Sequence, residues 1–208
     1  NRALMKRRRS TAILFLTVSF LYAAFPLFAQ EVAIEAEYRT AFGLDSRLVI
    51  WIVAELHLMY GAFVLGVPIF AVLVEYIGKR TQDLRYDRLA KEFTKLLSAA
   101  YATTAALGGL MAFVLFGLFP AFMGRLTGVF HTTYYVYALF FFAETFTLYL
   151  YYYSWDHLQG RWKGLHIFLG VLLNVWGTVL MLITNSWATF MMSPSGINDT
   201  GAFIGTTW

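Results

Sequence analysis

Between Leu48 and Gly78 the chain runs apolar for longer than a bilayer is thick, interrupted only by Glu55, His57 and Glu75. Further apolar runs cover Phe93–Phe119, His131–Tyr153 and Gly164–Phe190, each separated from the next by a short polar or aromatic stretch. In lipid no water is available for backbone N–H and C=O groups, so runs of this kind must be helices that satisfy their own hydrogen bonds. The fold class that follows is all-α, a polytopic transmembrane helix bundle of four core spans. The composition agrees: 59% of residues are apolar and 13% are charged, about half the charge density of a soluble domain. A soluble enzyme is excluded.

The chain carries a net charge of +4, yet its basic residues do not gather on one face as nucleic-acid binding would require. They occur at Lys6–Arg9, across Lys79–Lys95 and at Arg161 and Lys163, beside or between apolar runs. No nucleic-acid partner is expected. At the start, Lys6-Arg7-Arg8-Arg9 followed by the run Thr11–Ala29 reads as a secretory signal or an uncleaved anchor helix, making residues 1–30 a separate unit. Either reading puts residue 31 outside the cytoplasm. The basic clusters then fall on alternate connections, as the positive-inside rule demands of a multi-pass protein of a bacterial cytoplasmic membrane. Residues 31–195 form the four-helix unit and 196–208 an outer-side tail. Glu31–Ser46 is expected at the outer surface, Pro68 is expected to kink the first strong span, and Pro120–Phe130 reads as a short turn. Small residues in Phe93–Phe119, among them Gly108 and Gly109, would let helices approach closely.

No cysteine is present, which rules out disulfides, thiolate-held metals and covalent c-type haem; a redox cofactor would need His, Met or carboxylate ligands. Ionisable groups inside spans are costly and therefore functional candidates. His57 lies ten residues after Arg47, roughly 15 Å along the helix. It is a candidate haem ligand, the alternative being a core histidine bonded to a neighbouring helix. Glu144 has no cation in its own span and is read as part of a proton path, the alternative being a protonated structural hydrogen bond. Glu55 is on a different face from His57 and has no strong reading. Glu75 sits beside Gly78-Lys79-Arg80, where snorkelling or a surface pair is expected. His131, at the outer end of its span, is a candidate second ligand. His157 is expected in solvent. His166 is either a ligand or an interface residue, and Tyr149–Trp155 reads as an interfacial aromatic belt.

Several of these residues together carry a likeness. Ser46-Arg47-Leu48, His57 ten residues after the Arg, Glu75 eighteen after the His, and Gly78-Lys79 close behind resemble the first helix of cytochrome bd ubiquinol oxidase subunit I. Phe141-Phe142-Ala143-Glu144-Thr145, with Trp155 eleven residues after Glu144, resembles a further stretch of that family. Asn185-Ser186-Trp187 with Pro194 beyond resembles the motif closing the family's fourth helix. The resemblance covers about residues 44–195. It implies that His57 binds a haem b of the b595 kind and that Glu144 serves proton delivery; Arg47 and Trp187 are expected as cofactor contacts, and His131 or His166 stay as further metal candidates. It also implies a haem d and quinone in the complex, other membrane subunits and lipid as partners, and quinol or a c-type cytochrome as electron donor. There are departures. The family has another Glu eight residues before the position of Glu144, where this chain has Val136. Its His follows its Trp by eight residues, whereas His166 follows Trp155 by eleven. The family's low-spin haem ligands and quinol loop lie on later helices, beyond this chain. The expected function is a haem-bearing oxidoreductase subunit of a bd-type respiratory complex, with a relay subunit that does not reduce oxygen, or a haem-free structural subunit, as alternatives.

Overall fold

A computed structural model describes residues 39–41, 43–193 and 196. The expected signal or anchor at 1–30, Pro194 and all of the tail but Gly196 lie outside the described residues. The described chain opens with a minimal antiparallel ladder, β1 (Thr40–Ala41) and β2 (Leu44–Asp45), in which Thr40 pairs with Asp45. Four long helices follow: α1 (Ser46–Thr81), α2 (Leu84–Leu118), α3 (Pro120–Tyr153) and, after a 3-10 turn at Gly160–Trp162, α4 (Lys163–Met192). The fold is an all-α bundle of four helices, three of which are long and apolar enough to cross a membrane.

Local chemistry sets the helix ends. Asp45 caps α1 by accepting from the Arg47 N–H at 2.7 Å, and Asp83 caps α2 by accepting from the Arg85 N–H at 2.9 Å. The reversal between these helices turns on Gln82, whose φ of 55° is left-handed and whose side-chain amide donates to the Lys79 carbonyl at 2.6 Å. The helices meet closely there, because a Cβ on Gly78 would stand 3.2 Å from Tyr86 Cβ. Pro68 lies inside α1, which continues helically to Thr81.

Two expectations are corrected at α3. Pro120–Phe130 is not a turn: Pro120 occupies the first turn of a helix, where its missing N–H costs nothing. The helix continues to Tyr153 through a kink at Phe130 (φ −103°, ψ 16°), so His131 lies inside α3 rather than at its start. The three helices long and apolar enough to cross a membrane are α1, α2 and α4; α3 differs from them in its aromatic and hydroxyl content. Its length of 34 residues, roughly 50 Å of helix, is ample. However, Tyr134, Tyr135, Tyr137, Tyr149 and Tyr151–Tyr153, with five threonines, replace the aliphatic residues found elsewhere.

The helices pack cyclically, each against the next and α1 against α4. Salt bridges across the α1–α2 and α3–α4 connections (Lys91–Asp156 at 2.6 Å, Lys163–Asp87) place both basic clusters at one end. This basic end is the side that the positive-inside rule assigns to the cytoplasm. The continuous core, built from Val64, Val67, Val72 and Val74 of α1, Ala90, Leu97 and Tyr101 of α2, Leu148 and Tyr151 of α3, and Leu173 of α4, fills the basic half. Trp155 closes it. In the other half, large side chains such as Trp51, Met59, Phe113, Tyr135 and Leu139 are exposed.

Candidate functional site

His57 stands in the less packed half, half-buried between α1 and α2. Its Nδ1 lies 3.1 Å from the Thr104 carbonyl oxygen. A carbonyl can only accept, so Nδ1 carries the proton and Nε2 presents a bare lone pair. The carbonyl is free to accept a further bond because it has two lone pairs. Gly108, one turn further along α2, makes room for the ring: a Cβ there would lie 3.0 Å from His57 Cε1. The notable feature is therefore a histidine held through one ring nitrogen with the other unbonded among the described residues, which is how protein histidines are oriented as metal ligands.

The other candidates are spread along the bundle. Arg47 is exposed at the start of α1. Trp187 of α4 donates its Nε1–H to Thr133 Oγ1 at 3.1 Å and packs among Phe130, Tyr134 and Tyr137 of α3, next to the kink. His131 is exposed, its ring edge-on to Tyr135 of its own helix at 5.1 Å. His131 thus meets its own helix, whereas His57 meets α2. Glu55 is exposed and so is His157, as expected of the latter.

Glu144 is buried near mid-depth, 7% exposed. Gly177 of α4 receives it, since a Cβ there would be 2.8 Å from Glu144 Oε1 and 3.4 Å from Leu65 of α1. Tyr101 of α2 also faces the carboxyl, its hydroxyl 2.6 Å from Thr145 Oγ1. The carboxyl thus meets α2 through Tyr101 and α4 at Gly177.

At the basic end the structure departs most from expectation. Glu75 does not snorkel. It is fully buried, its Oε2 accepting from the Tyr151 hydroxyl at 2.6 Å and its Oε1 lying 2.5 Å from His166 Nδ1 and 2.8 Å from Lys163 Nζ. His166, also fully buried, spends its Nε2 on the Tyr151 carbonyl at 2.9 Å. Both of its ring nitrogens are engaged, so it is not placed as a metal ligand. Tyr151 and Trp155 are likewise interior residues rather than members of an interfacial belt. Among the described residues no group of three or more His, Cys, Asp or Glu is arranged to hold a metal ion. A haem, which brings its own four nitrogen donors, needs only one or two.

A family model described as cytochrome bd terminal oxidase subunit I matches residues 46–203. The chain belongs to that family. Among solved structures it is similar to the bd oxidase from Geobacillus thermodenitrificans, with 25% sequence identity and a TM-score of 0.67. That similarity covers 74% of this chain and 35% of the solved one, so the chain spans about a third of the length of that relative. No curated protein matches. As a subunit-I family member the chain is a multi-pass membrane protein of an oxidoreductase family. The helices that the family match covers are the ones on which His57, Glu144 and Trp187 stand.

Proposed function

We propose that this chain is the haem-bearing unit of a cytochrome bd-type quinol oxidase-like complex, passing electrons from quinol or a partner cytochrome to a haem held by His57. The observation that carries the proposal is the Nδ1–Thr104 contact at 3.1 Å, which leaves Nε2 as the open donor. A neutral imidazole so oriented fits haem iron, and the ring's single carbonyl anchor keeps it from rotating away. Haem when bound supplies the one-electron redox chemistry. The chain supplies the rest. Thr104 sets the tautomer, Gly108 admits the ring, and the sparsely packed half around Trp51, Phe113 and Tyr135 leaves apolar surface for the cofactor and for the remaining subunits. Glu144 presents a carboxyl buried against α2 and α4, which fits a role in proton delivery if oxygen is the acceptor. Arg47 and Trp187 are proposed as cofactor contacts from the outer ends of α1 and α4. Val136, where the resemblance leads one to expect a second glutamate, favours as a second reading a relay subunit that does not reduce oxygen.

The test is a dithionite-reduced minus oxidised spectrum of the detergent-purified protein, wild type beside His57→Ala. A b-type or d-type signal lost in the variant is the expected result. Absence of haem from the wild type, or an unchanged variant spectrum, would sink the ligand assignment. Rapid oxygen consumption by the purified complex would reject the relay reading.

A further inference from the structure

The buried cluster at the basic end plays no part in the haem proposal, yet its geometry sets its resting proton count. Four helices contribute: Glu75 from α1, Asp87 from α2, Tyr151 and Trp155 from α3, Lys163 and His166 from α4. His166 Nε2 faces the Tyr151 carbonyl, an acceptor only, so Nε2 carries a hydrogen. His166 Nδ1 faces Glu75 Oε1 at 2.5 Å. If the imidazole were neutral and Glu75 ionised, two lone pairs would confront each other there. One proton therefore lies on that contact, either on the imidazolium or on the carboxylic acid. Lys163 bridges Glu75 and Asp87 and sits 4.7 Å over the Trp155 ring, whose Nε1–H donates to Asp87 at 3.3 Å. With the shared proton in place the charges of Glu75, Asp87, Lys163 and His166 cancel. Without it the interior carries one net negative charge, and with a second proton one net positive charge, and either state is costly where water is excluded.

We propose that Glu75 and His166 form a proton-exchange site, separate from Glu144, that holds one proton between them and trades it with water at the basic end. The route to water is Asp87, whose side chain is 21% exposed while those of Glu75 and His166 are fully covered. Lys163 links Asp87 to Glu75 directly, and Lys79 of α1 stands at the mouth with its Nζ beside Gly164. Tyr151 donates to the same carboxylate from the opposite side, with the Thr94 hydroxyl of α2 next to it. The exchange is balanced: one proton leaves the Glu75–His166 contact for water and one returns, with no bond other than N–H or O–H made or broken. The site stands two helical turns from Glu144 on α3, because Tyr151 is seven residues further along the same face. The inference does not depend on haem.

The test measures protons and carboxyl groups in the intact detergent-purified complex. Proton release on an alkaline pH jump, read with an indicator dye, and infrared difference spectra of the carboxyl C=O stretch are compared for wild type, E75Q, E144Q and Y151F. The expected result is one proton fewer released by E75Q, with loss of a titrating carboxyl or carboxylate band that E144Q keeps. Y151F, which removes one hydroxyl and keeps the ring packing, should retain the proton count but shift that band, because Glu75 has lost a hydrogen-bond donor. If E75Q does not fold, Y151F decides: a shifted band that still titrates on the pH jump supports the site, and a shifted band that does not titrate overturns it. Proton release and carboxyl bands identical to wild type in the folded variants, or a missing band in E144Q alone, would overturn the proposal and leave the cluster as a fixed structural pair.

Discussion

Gly108 and Gly109 are neighbours on α2, and the structure assigns them opposite responses to the same substitution. In Gly108→Ala the new methyl would lie 3.0 Å from His57 Cε1, 3.5 Å from Nδ1 and 3.8 Å from Nε2. Carbon atoms rest at about 3.5–4.0 Å, so the ring must retreat by roughly half an ångström. It is tethered on the same helix by the 3.1 Å contact to Thr104, and a retreat of that size takes the bond out of range. Loss of such an orienting bond lowers metal affinity by about 10–100-fold in proteins generally. The helix itself gains, since alanine is favoured over glycine by about 1 kcal/mol in a helix interior, which roughly offsets a lost hydrogen bond of about 1 kcal/mol. The expected outcome is thus a protein as thermally stable as wild type that retains haem about 10–100-fold less tightly. Gly109→Ala meets nothing within 4 Å and should keep wild-type haem affinity. Haem titration followed by Soret absorbance, with thermal unfolding of the same samples, measures both quantities. Equal haem affinity in the two variants would refute the reasoning that His57 is oriented through Thr104 and seated against Gly108.

Further outcomes can be checked independently. Gly170→Ala puts a methyl into Val72 Cγ2 and 3.0 Å from Tyr151 Cε2; Tyr151 is pinned by Glu75 and stacked on His166 at 4.4 Å, so overpacking of about 1–3 kcal/mol is expected in thermal or denaturant unfolding. Glu144→Gln keeps the shape of the side chain and removes its titration; if Glu144 delivers protons, turnover falls by about 10²-fold or more, whereas unchanged turnover removes it from the mechanism. Lys91→Met should release Asp156, whose carboxyl its hydrogen bonds to Lys91 hold below the usual carboxylate range. A carboxyl lowered on folding adds stability above its unfolded value and loses it as pH falls through the lowered one. The wild type should therefore lose this small contribution only at acid pH, below the ordinary carboxylate range, and the variant should lack that part of the pH dependence in unfolding scans.

The reach of the sequence can be judged residue by residue. Apolar runs set the helix bundle because lipid leaves the backbone no alternative, and alternating basic connections anticipated the end at which Lys91 and Lys163 now form their bridges. His57 was legible as an ionisable group in a span at a telling distance from Arg47, but Thr104 was not, because a backbone carbonyl carries no residue-type signal. Glu75 was misplaced for an instructive reason: its neighbours Gly78-Lys79-Arg80 report depth along the helix, whereas burial is decided by which face meets Tyr151 and His166, 76 and 91 residues away. The same holds for Tyr151 and Trp155, whose residue types suit an interface and whose positions are interior. Pro120–Phe130 reads as a turn in sequence, whereas Pro120 starts a helix, and the difference lies in whether the next residues continue the turn.

The tyrosines and threonines that replace aliphatic residues along α3 bear on how the chain enters a membrane in the first place. A segment judged alone by the insertion machinery needs enough aliphatic surface to leave the aqueous channel for lipid. α1, α2 and α4 have that surface, and α3 also brings the buried carboxyl of Glu144. In the folded bundle the partners that offset this are on α4: Gly177 shelters the carboxyl and Trp187 covers Thr133. Insertion of α3 is accordingly expected to depend on α4: truncation between the two should lower the fraction of α3 that spans the bilayer in a glycosylation-reporter assay, and equal insertion with and without α4 would count against this.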